Sequence, residues 1–436
     1  NEITLRAYNT EGWLKSQPFV LSFDPIGKKG EDKEEEAGFI PSFQPVRDPH
    51  LFILCIGTSD YNGERLDLRF PDKDAADMAS ALSAAGGALF PSGNVHLFLL
   101  NTDPGTSKVA PGKENITKCF SDIAREARPE DVFILYLSGH GLTYGSSEKG
   151  QFYYLTKDIA SEDLSDPTIR ANYAISTEEF TQWLTGIPAR KQVMMLDACN
   201  SGKVVESLLS ASRSLNASQI RALDRMQGRT GVFVLSGSAA DKVSYEANRY
   251  GQGLLTFSLL QGMSGLALRE GKYIDIMTLF QYSRDKVPEL AEAIGGIQTP
   301  MMAFPLGGES FDIGLVDEQV EIPVAQVKPV FIRNVFLEEN AFDDVLGLGR
   351  RLENHLEQIT ARGAKASLVY VDVPEYKDAF SIKGLYELKK GKISLKARLF
   401  KGREPLGSFE ANGQEEQMDE LVEEILARVM EIINSR

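Results

Sequence analysis

Two short apolar runs constrain this chain more than any other feature: Val132 to Gly141, Val-Phe-Ile-Leu-Tyr-Leu-Ser-Gly-His-Gly, and Gln192 to Gly202, Gln-Val-Met-Met-Leu-Asp-Ala-Cys-Asn-Ser-Gly. Each is too short for a lone helix and is bounded by small or polar residues, which predicts a strand buried on both faces of a parallel sheet. The first run delivers His140 at its end and the second delivers Cys199. Ligands of open α/β sheets bind beyond the carboxyl ends of the strands, so two such ends can bring a histidine and a cysteine into one crevice. A free thiol carries little thiolate near neutrality and needs a base beside it, a part His140 can play. The backbone at Gly141 and the amide of Cys199 are candidate donors for the oxyanion that forms when a thiolate attacks a carbonyl.

Strands and helices alternate on either side of these runs. Leu51 to Gly57 reads as a buried strand, and Asp74 to Ala84 as a helix with Ala75, Met78, Ala79 and Leu82 on one face. Strands follow at His96 to Leu100, Val132 to Leu137, Val193 to Leu196 and Val232 to Ser236. Helices are expected at Ile116 to Ala127, Thr177 to Leu184, Leu254 to Met263 and Ile274 to Val287. This order predicts an α/β fold, a mostly parallel sheet flanked by helices on both faces.

Residues 1–26 alternate weakly about a turn at Asn9 to Gly12 and read as two strands at the tail of an upstream β-domain. The stretch 27–49 is charged and proline-rich, a linker in composition, and 50–315 is the α/β domain. Residues 316–329, with two prolines and several acids, read as a second linker or an edge strand. A small C-terminal α+β domain is expected over 330–436, with regulation or partner docking as its role. Its predicted elements are strands at Val330 to Leu337, Ser367 to Val371, Ser381 to Leu388 and Lys392 to Phe400, a helix over Asp343 to Thr360, and an amphipathic terminal helix carrying Met418, Leu421, Val422, Ile425, Val429 and Ile432.

A formal net charge of -15 argues against nucleic acid as a partner, because duplex binding relies on Lys and Arg to neutralise phosphates. The three cysteines, Cys55, Cys119 and Cys199, and the four histidines, His50, His96, His140 and His355, show neither a disulfide framework nor metal-ligand spacing. Cys55 and Cys119 sit in apolar surroundings as core residues. No run approaches the ~18 apolar residues that cross a bilayer, and no signal peptide stands at the start. The expected compartment is the reducing cytoplasm, which suits a catalytic thiol. Asn1 in place of Met marks the chain as a fragment or a processed product. Serine-hydrolase elbows, Walker loops and dinucleotide fingerprints are absent from the sequence.

Leu-Ser-Gly-His-Gly at 137–141 and Asp-Ala-Cys-Asn-Ser-Gly at 197–202 resemble the His and Cys motifs of the caspase-like cysteine peptidases of family C14, closest to bacterial caspase homologues and metacaspases. The resemblance extends along Leu51 to Phe304. Asp74-Ala75 sits where that family carries an Asp-Ala pair opening its first helix. Gly253-Leu254-Leu255-Thr256 and Leu259 to Met263 look like its Gly-x-Phe-Thr and Leu-Leu-x-Gly-Leu run, with Leu255 in place of the usual Phe. His140 and Cys199 are 59 residues apart, close to the roughly 50 found in caspases. The resemblance implies a caspase-like sheet, a Cys-His dyad, and a signal-activated protease of a bacterial regulatory, cell-death or defence pathway. No cofactor is required for such chemistry. Some metacaspases of this pattern depend on calcium for activation, and no motif here marks a calcium site.

Metacaspases of this pattern use the Asp two residues before the nucleophile to hold an Arg or Lys side chain, and Asp197 occupies that position; Ser138, two before His140, matches a pocket-lining residue. Where caspases carry Ser-Trp-Arg to bind a substrate aspartate, this chain has Ser244-Tyr245-Glu246, with the sign inverted. A carboxylate pairs with a substrate cation, so cleavage after Arg or Lys is expected, with proteins exposing such sites as substrates. The interdomain segment Lys203 to Gly231 then offers Arg213, Arg221, Arg225 and Arg229 as self-cleavage sites, against the plainer reading of an ordinary helix through Ile220, Leu223 and Met226. An upstream sensor domain or regulatory partner is implied by the architecture of bacterial relatives. The readings set against the protease are a catalytically silent or gated scaffold module and a transpeptidase that captures the same thioester with an amine. Basic residues of the C-terminal hairpin, among them Lys383, Lys396 and Arg398, read as a solvated face, with an acidic partner as the sharper alternative.

Overall fold

The computed structural model describes residues 2–5, 19–22, 47–144, 151–198, 232–237, 249–294, 296–305, 309–362, 366–376 and 378–435. At the amino end, β1 (Glu2–Leu5) and β2 (Phe19–Ser22) pair antiparallel, with Ile3 opposite Leu21. The turn expected at Asn9 to Gly12 lies outside the described residues, as does most of the charged linker.

In chain order the next elements are β3 (Leu51–Gly57), α1 (Pro71–Leu89), β4 (Val95–Asn101), α2 (Lys113–Glu126), β5 (Val132–Gly139), β6 (Gly141–Tyr144) and β7 (Gln151–Leu155). After them come α3 (Pro167–Tyr173), β8 (Ala174–Ser176), α4 (Thr177–Gly186), β9 (Lys191–Ala198), β10 (Val232–Ser236), α5 (Leu254–Gln261), β11 (Tyr273–Asp275), α6 (Ile276–Glu292), β12 (Met301–Ala303) and β13 (Asp312–Leu315). The central sheet runs β12-β10-β9-β5-β3-β4, parallel except at β12. Every residue of β3 and β5 is buried, as a strand with helices on both faces must be.

The two faces of the sheet build two cores by strand alternation. Ile53, Cys55, Ile134, Tyr136, Val193 and Met195 point to the side of α1, α5 and α6. Phe52, Leu54, Phe133, Leu135, Met194 and Leu196 point to the side of α2 and α4. A three-stranded antiparallel sheet, β6-β7-β8, grows from the chain just past His140; the short, polar-flanked strands that form it carry no strong periodicity. The helix expected from Ile274 begins at Ile276 instead, because Tyr273–Asp275 pairs with β13 and the Asp275 carboxylate caps the Thr278 amide at 2.9 Å. That helix then continues through Pro288 to Glu292.

Residues 316–329 form no strand. They lie along the α1/α6 side of the central sheet, with Val320, Ile322 and Val324 packed on that core. Beyond them are β14 (Val330–Phe331), β15 (Val335–Glu338), α7 (Leu348–Thr360), β16 (Val369–Tyr370), β17 (Phe380–Lys389), β18 (Lys392–Lys401), β19 (Glu404–Gln414) and α8 (Met418–Asn434). Their sheet has the order β16-β14-β17-β18-β19, with β15 also on β17.

Three details depart from the sequence expectation. The run 330–337 splits into two strands, and Asn334 between them accepts the Ile382 amide at 2.8 Å. The helix expected from Asp343 starts at Leu348, because Asp344 caps the Leu348 and Gly349 amides at 3.0 and 2.8 Å after Gly347 turns at φ +62°. The third is β19, which Pro405, Gly407 and a polar composition hide from a periodicity reading although it pairs β18 along its whole length.

Candidate active site

The site grows from the carboxyl ends of β5 and β9. These strands run side by side in parallel, with Ser138 paired to Asp197 and Gly139 to Ala198 as the last described register pairs. His140 and Cys199 are the next residues of their chains. Cys199, with Ser244, Tyr245, Glu246 and the arginines Arg213, Arg221, Arg225 and Arg229, lies outside the described residues.

The β5 end is pinned by polar groups. The Ser138 carbonyl accepts from the Thr58 amide at 3.1 Å and from the Tyr154 hydroxyl at 2.9 Å, and the Thr58 hydroxyl stands 3.1 Å from the same tyrosine oxygen. Gly139 turns at φ +150°, and a Cβ there would lie 2.9 Å from the Tyr61 hydroxyl and 3.0 Å from that of Tyr154. Only glycine combines that backbone angle with so close a cover.

His140 follows with its backbone N–H donated to the Tyr61 hydroxyl at 2.9 Å and its ring tilted against the Tyr61 ring, centroids 5.2 Å apart. The ring Nε2 is 2.7 Å from the Leu66 carbonyl oxygen. A carbonyl only accepts, so Nε2 carries the proton and Nδ1 presents the lone pair. Burial pushes the imidazole pKa below its ordinary value, opposed by the Leu66 carbonyl and the charge of Glu162. The ring is therefore a neutral base near pH 7. Gly141 opens β6 directly beyond it.

On the α1/α5 side of the same strand ends two carboxyl groups converge. Asp197 continues the inward face of Val193 and Met195, and its Oδ2 accepts the Thr256 amide at 3.0 Å and the Thr256 hydroxyl at 2.5 Å. The Tyr136 hydroxyl is 2.6 Å from that threonine oxygen, so Tyr136, Thr256 and Asp197 form one chain of donation in the first turn of α5. Asp74, in the first turn of α1, is fully buried and accepts the Gly253 amide at 3.0 and 3.3 Å.

Gly253 stands between the two acids. A Cβ there would fall 2.4 Å from Asp197 Oδ2 and 2.9 Å from Asp74 Oδ2. Burial, then the negative charge of Asp197, holds the Asp74 carboxyl well above the usual carboxylate range. Burial likewise raises Asp197, against the pull of the two Thr256 donors. Asp197 keeps partial exposure, and its Oδ1 side borders Gly237 together with the Gln298 amide. Two carboxyl groups with both pKa values driven up share a negative charge poorly, and a cation entering between the strand ends would relieve both.

The sequence reading placed Asp197 and Ser138 here, and the paired register brings them together. From the sequence Asp74 is expected only to open a helix, with no part in binding. One signal was available: Asp74 falls on the apolar stripe of α1 with Ala75, Met78 and Leu82, where a lone charge needs a reason. Thr256 closes the Gly253-Leu254-Leu255-Thr256 motif, which does not reveal its bond to Asp197; Gln298 and the Tyr61 and Tyr154 hydroxyls carry no signal, because sequence separation hides their proximity.

Of the remaining histidines, His50 and His96 meet at 2.7 Å, Nδ1 to Nε2, stacked beside Phe52 near the start of β3 and β4. Cys55 is buried and its thiol pKa pushed up by burial; Cys119 is half-buried and likewise raised. Among the described residues no group of three or more His, Cys, Asp or Glu is arranged to hold a metal ion, and no helix is long and apolar enough to cross a membrane.

A six-stranded, mostly parallel sheet flanked by helices, with a histidine and an aspartate leaving adjacent strand ends, defines a caspase-like domain. The caspase domain of peptidase family C14 matches residues 51–308, and the chain belongs to that family. Membership carries a peptidase-type function and protein substrates. Among solved structures, protein GSU0716 from Geobacter sulfurreducens is similar at 17% identity over 64% of this chain and 97% of that one, with a TM-score of 0.35. No curated protein matches the chain.

Proposed function

We propose that the protein is a cysteine endopeptidase that cleaves after Arg or Lys, with Cys199 as nucleophile and His140 as acid and base. His140 Nδ1 takes the thiol proton, and the sulfur attacks the scissile carbonyl carbon. The backbone amides at Gly141 and Cys199 meet the oxyanion, and the imidazolium returns its proton to the leaving amine. Water then enters on the same base and hydrolyses the thioester.

The observation that supports the specificity is the pair of carboxyls, Asp74 fully buried and Asp197 partly exposed, that close together on Gly253 at the end of the strand beside that of His140. A guanidinium or ammonium group binds where two acids are held close together with no ion-paired cation among the described residues, whereas a substrate aspartate would bring a further acid against a pair that already ionises reluctantly. Ser138 lines the same strand end, and Glu246, with Ser244 and Tyr245, is proposed to add to substrate binding. Arg213, Arg221, Arg225 and Arg229 are proposed self-cleavage sites of that specificity. The setting is a signal-activated protease of a bacterial regulatory, cell-death or defence pathway.

Short fluorogenic peptides ending in Arg, Lys or Asp, with and without calcium, test this against Cys199→Ala and Asp197→Asn. Turnover of the Arg and Lys peptides is expected only with Cys199 present, and kcat/KM should fall roughly a hundredfold in Asp197→Asn, the scale of losing one partner of a buried charge pair. Turnover that persists in Cys199→Ala, or none in the wild type, refutes the peptidase reading. Preference for the Asp peptide refutes only the charge assignment.

A further inference from the structure

The outer face of the C-terminal sheet combines exposed apolar side chains with cations that meet no carboxylate among the described residues. α7 and α8 cover one side of β17 and β18, burying Ile382, Tyr386, Ile393, Leu395 and Leu399 against Leu352, Leu356, Leu421 and Ile425. The opposite side forms a shallow depression floored by Val335, Leu337, Lys383, Leu385, Lys396, Arg398 and Phe400. Val335 and Leu385 are each 48% exposed there.

The charges on this face are set against one another. Lys383 lies directly across the ladder from Arg398, and Leu385 from Lys396. Like charges directly opposite on an antiparallel pair destabilise it, so the arrangement is not explained by the stability of the sheet. Glu410 is the cross-strand neighbour of Lys396, yet no carboxylate among the described residues comes within ion-pair distance of Lys383, Lys396 or Arg398. Among the described residues these cations have no carboxylate partner, on a chain whose net charge is -15.

We propose that this face docks an acidic segment of a partner protein, one whose carboxylates alternate with apolar side chains. Charge complementarity selects it. An extended segment presents every second side chain on one face at about 7 Å spacing, close to the separation of successive outward positions on β17 and β18. Its carboxylates would meet Lys383, Arg398 and Lys396, while its apolar residues cover Val335, Leu337 and Leu385.

Two other occupants fit less well. Single-stranded nucleic acid needs open aromatic faces for base stacking, and here the Lys383 ammonium lies over the Phe400 ring at 5.2 Å from its centroid, with Glu410 beside it to repel phosphate. A second copy of the chain would set Lys383 and Arg398 against their own equivalents, because a two-fold interface pairs a patch with itself.

The probe is a fluorescein-labelled peptide of about ten residues, the upper length of common strands, in which Glu alternates with Leu and Phe. Comparators are the same peptide with Lys for Glu, oligoglutamate, and single-stranded oligothymidylate. Anisotropy on the full chain should show the Glu/Leu/Phe peptide bound and the others at least about tenfold weaker. The double variant Lys383→Glu/Arg398→Glu should lose at least tenfold and Leu385→Ser several-fold, and binding should weaken with salt. A neutral pair, Lys383→Gln/Arg398→Gln, which should also weaken the peptide while its thermal midpoint is no lower than that of the wild type, keeps the test independent of folding. The proposal is overturned by absence of peptide binding at low salt, by indifference to the charge-reversing variants, by tighter binding of oligothymidylate, or by concentration-dependent self-association that the same variants abolish.

Discussion

Asp74 is a buried acid whose nearest strong donor is a single backbone amide, and it faces a second acid. Its carboxyl is raised above its ordinary pKa, so folding favours the protonated form. The stabilising contribution is therefore present below the unfolded pKa, ~3.9, and is lost as pH rises through the folded value. Near neutral pH the burial of this acid beside Asp197 is a net burden on the fold, one that the proposed substrate cation would relieve. Asp74→Asn retains an acceptor for the Gly253 amide and removes the charge. It is expected to raise the thermal midpoint at pH 8 by about 2–4 °C, on the order of 1 kcal/mol, while raising KM for Arg peptides at least tenfold. The stabilisation should shrink as pH falls towards 4; a variant less stable than wild type at pH 8 would show that the carboxylate is structurally required. His140 could be singled out from the sequence because its Gly-His-Gly setting closes a buried strand. Its tautomer could not, because the Leu66 carbonyl that holds Nε2 is 74 residues away.

At the scale of elements, the site depends on how strands end. β5 finishes in a glycine with positive φ, enclosed by two tyrosine hydroxyls, and this turns His140 out of the sheet towards the Leu66 carbonyl. Gly139→Ala would place a methyl group about 3 Å from both hydroxyls, on backbone that L-residues rarely adopt. Its expected cost is about 1–3 kcal/mol of stability, with kcat reduced far more than KM is raised, measured by chemical denaturation and steady-state kinetics on the same preparation. A rise in KM with kcat unchanged would place the damage in binding instead. Sequence periodicity found β3, β5, β9 and β10 within two residues at each end, because strands buried on both faces read as continuous apolar runs. It missed β6, β7, β8 and β19, whose short or polar-faced strands are defined by their partners rather than by their own composition.

Over the whole molecule, the segment after β13 is strapped to the central sheet's helices before the chain enters β14. The buried Gln252 side chain donates to the Asp77 carboxylate at 2.5 Å and to the Pro323 carbonyl at 3.1 Å, and its Oε1 accepts the Ala325 amide at 3.2 Å. The Lys328 amide donates to the Arg249 carbonyl at 2.7 Å. Gln252 immediately precedes Gly253, so the strap is held at the residue next to the dicarboxylate. Gln252→Ala would leave the Ala325 amide and the Pro323 carbonyl without these partners, a loss of about 1–3 kcal/mol. Limited proteolysis within 317–329 should quicken, and KM for Arg peptides should rise with kcat nearly unchanged. Unaltered proteolysis would show that Val320, Ile322 and Val324 hold the strap by packing alone.

The sequence by itself determined the parallel α/β class, the strand ends that carry His140 and Cys199, and the acidic character of Asp197. Those features are written locally, in apolar runs and in the residues that terminate them. Only the tertiary structure decided that Asp74 of the first helix and Asp197 of a distant strand meet at Gly253, and that Leu66 sets the histidine tautomer. Each of these is a contact between segments far apart in the chain, created by strand register and helix packing, and no local pattern encodes it.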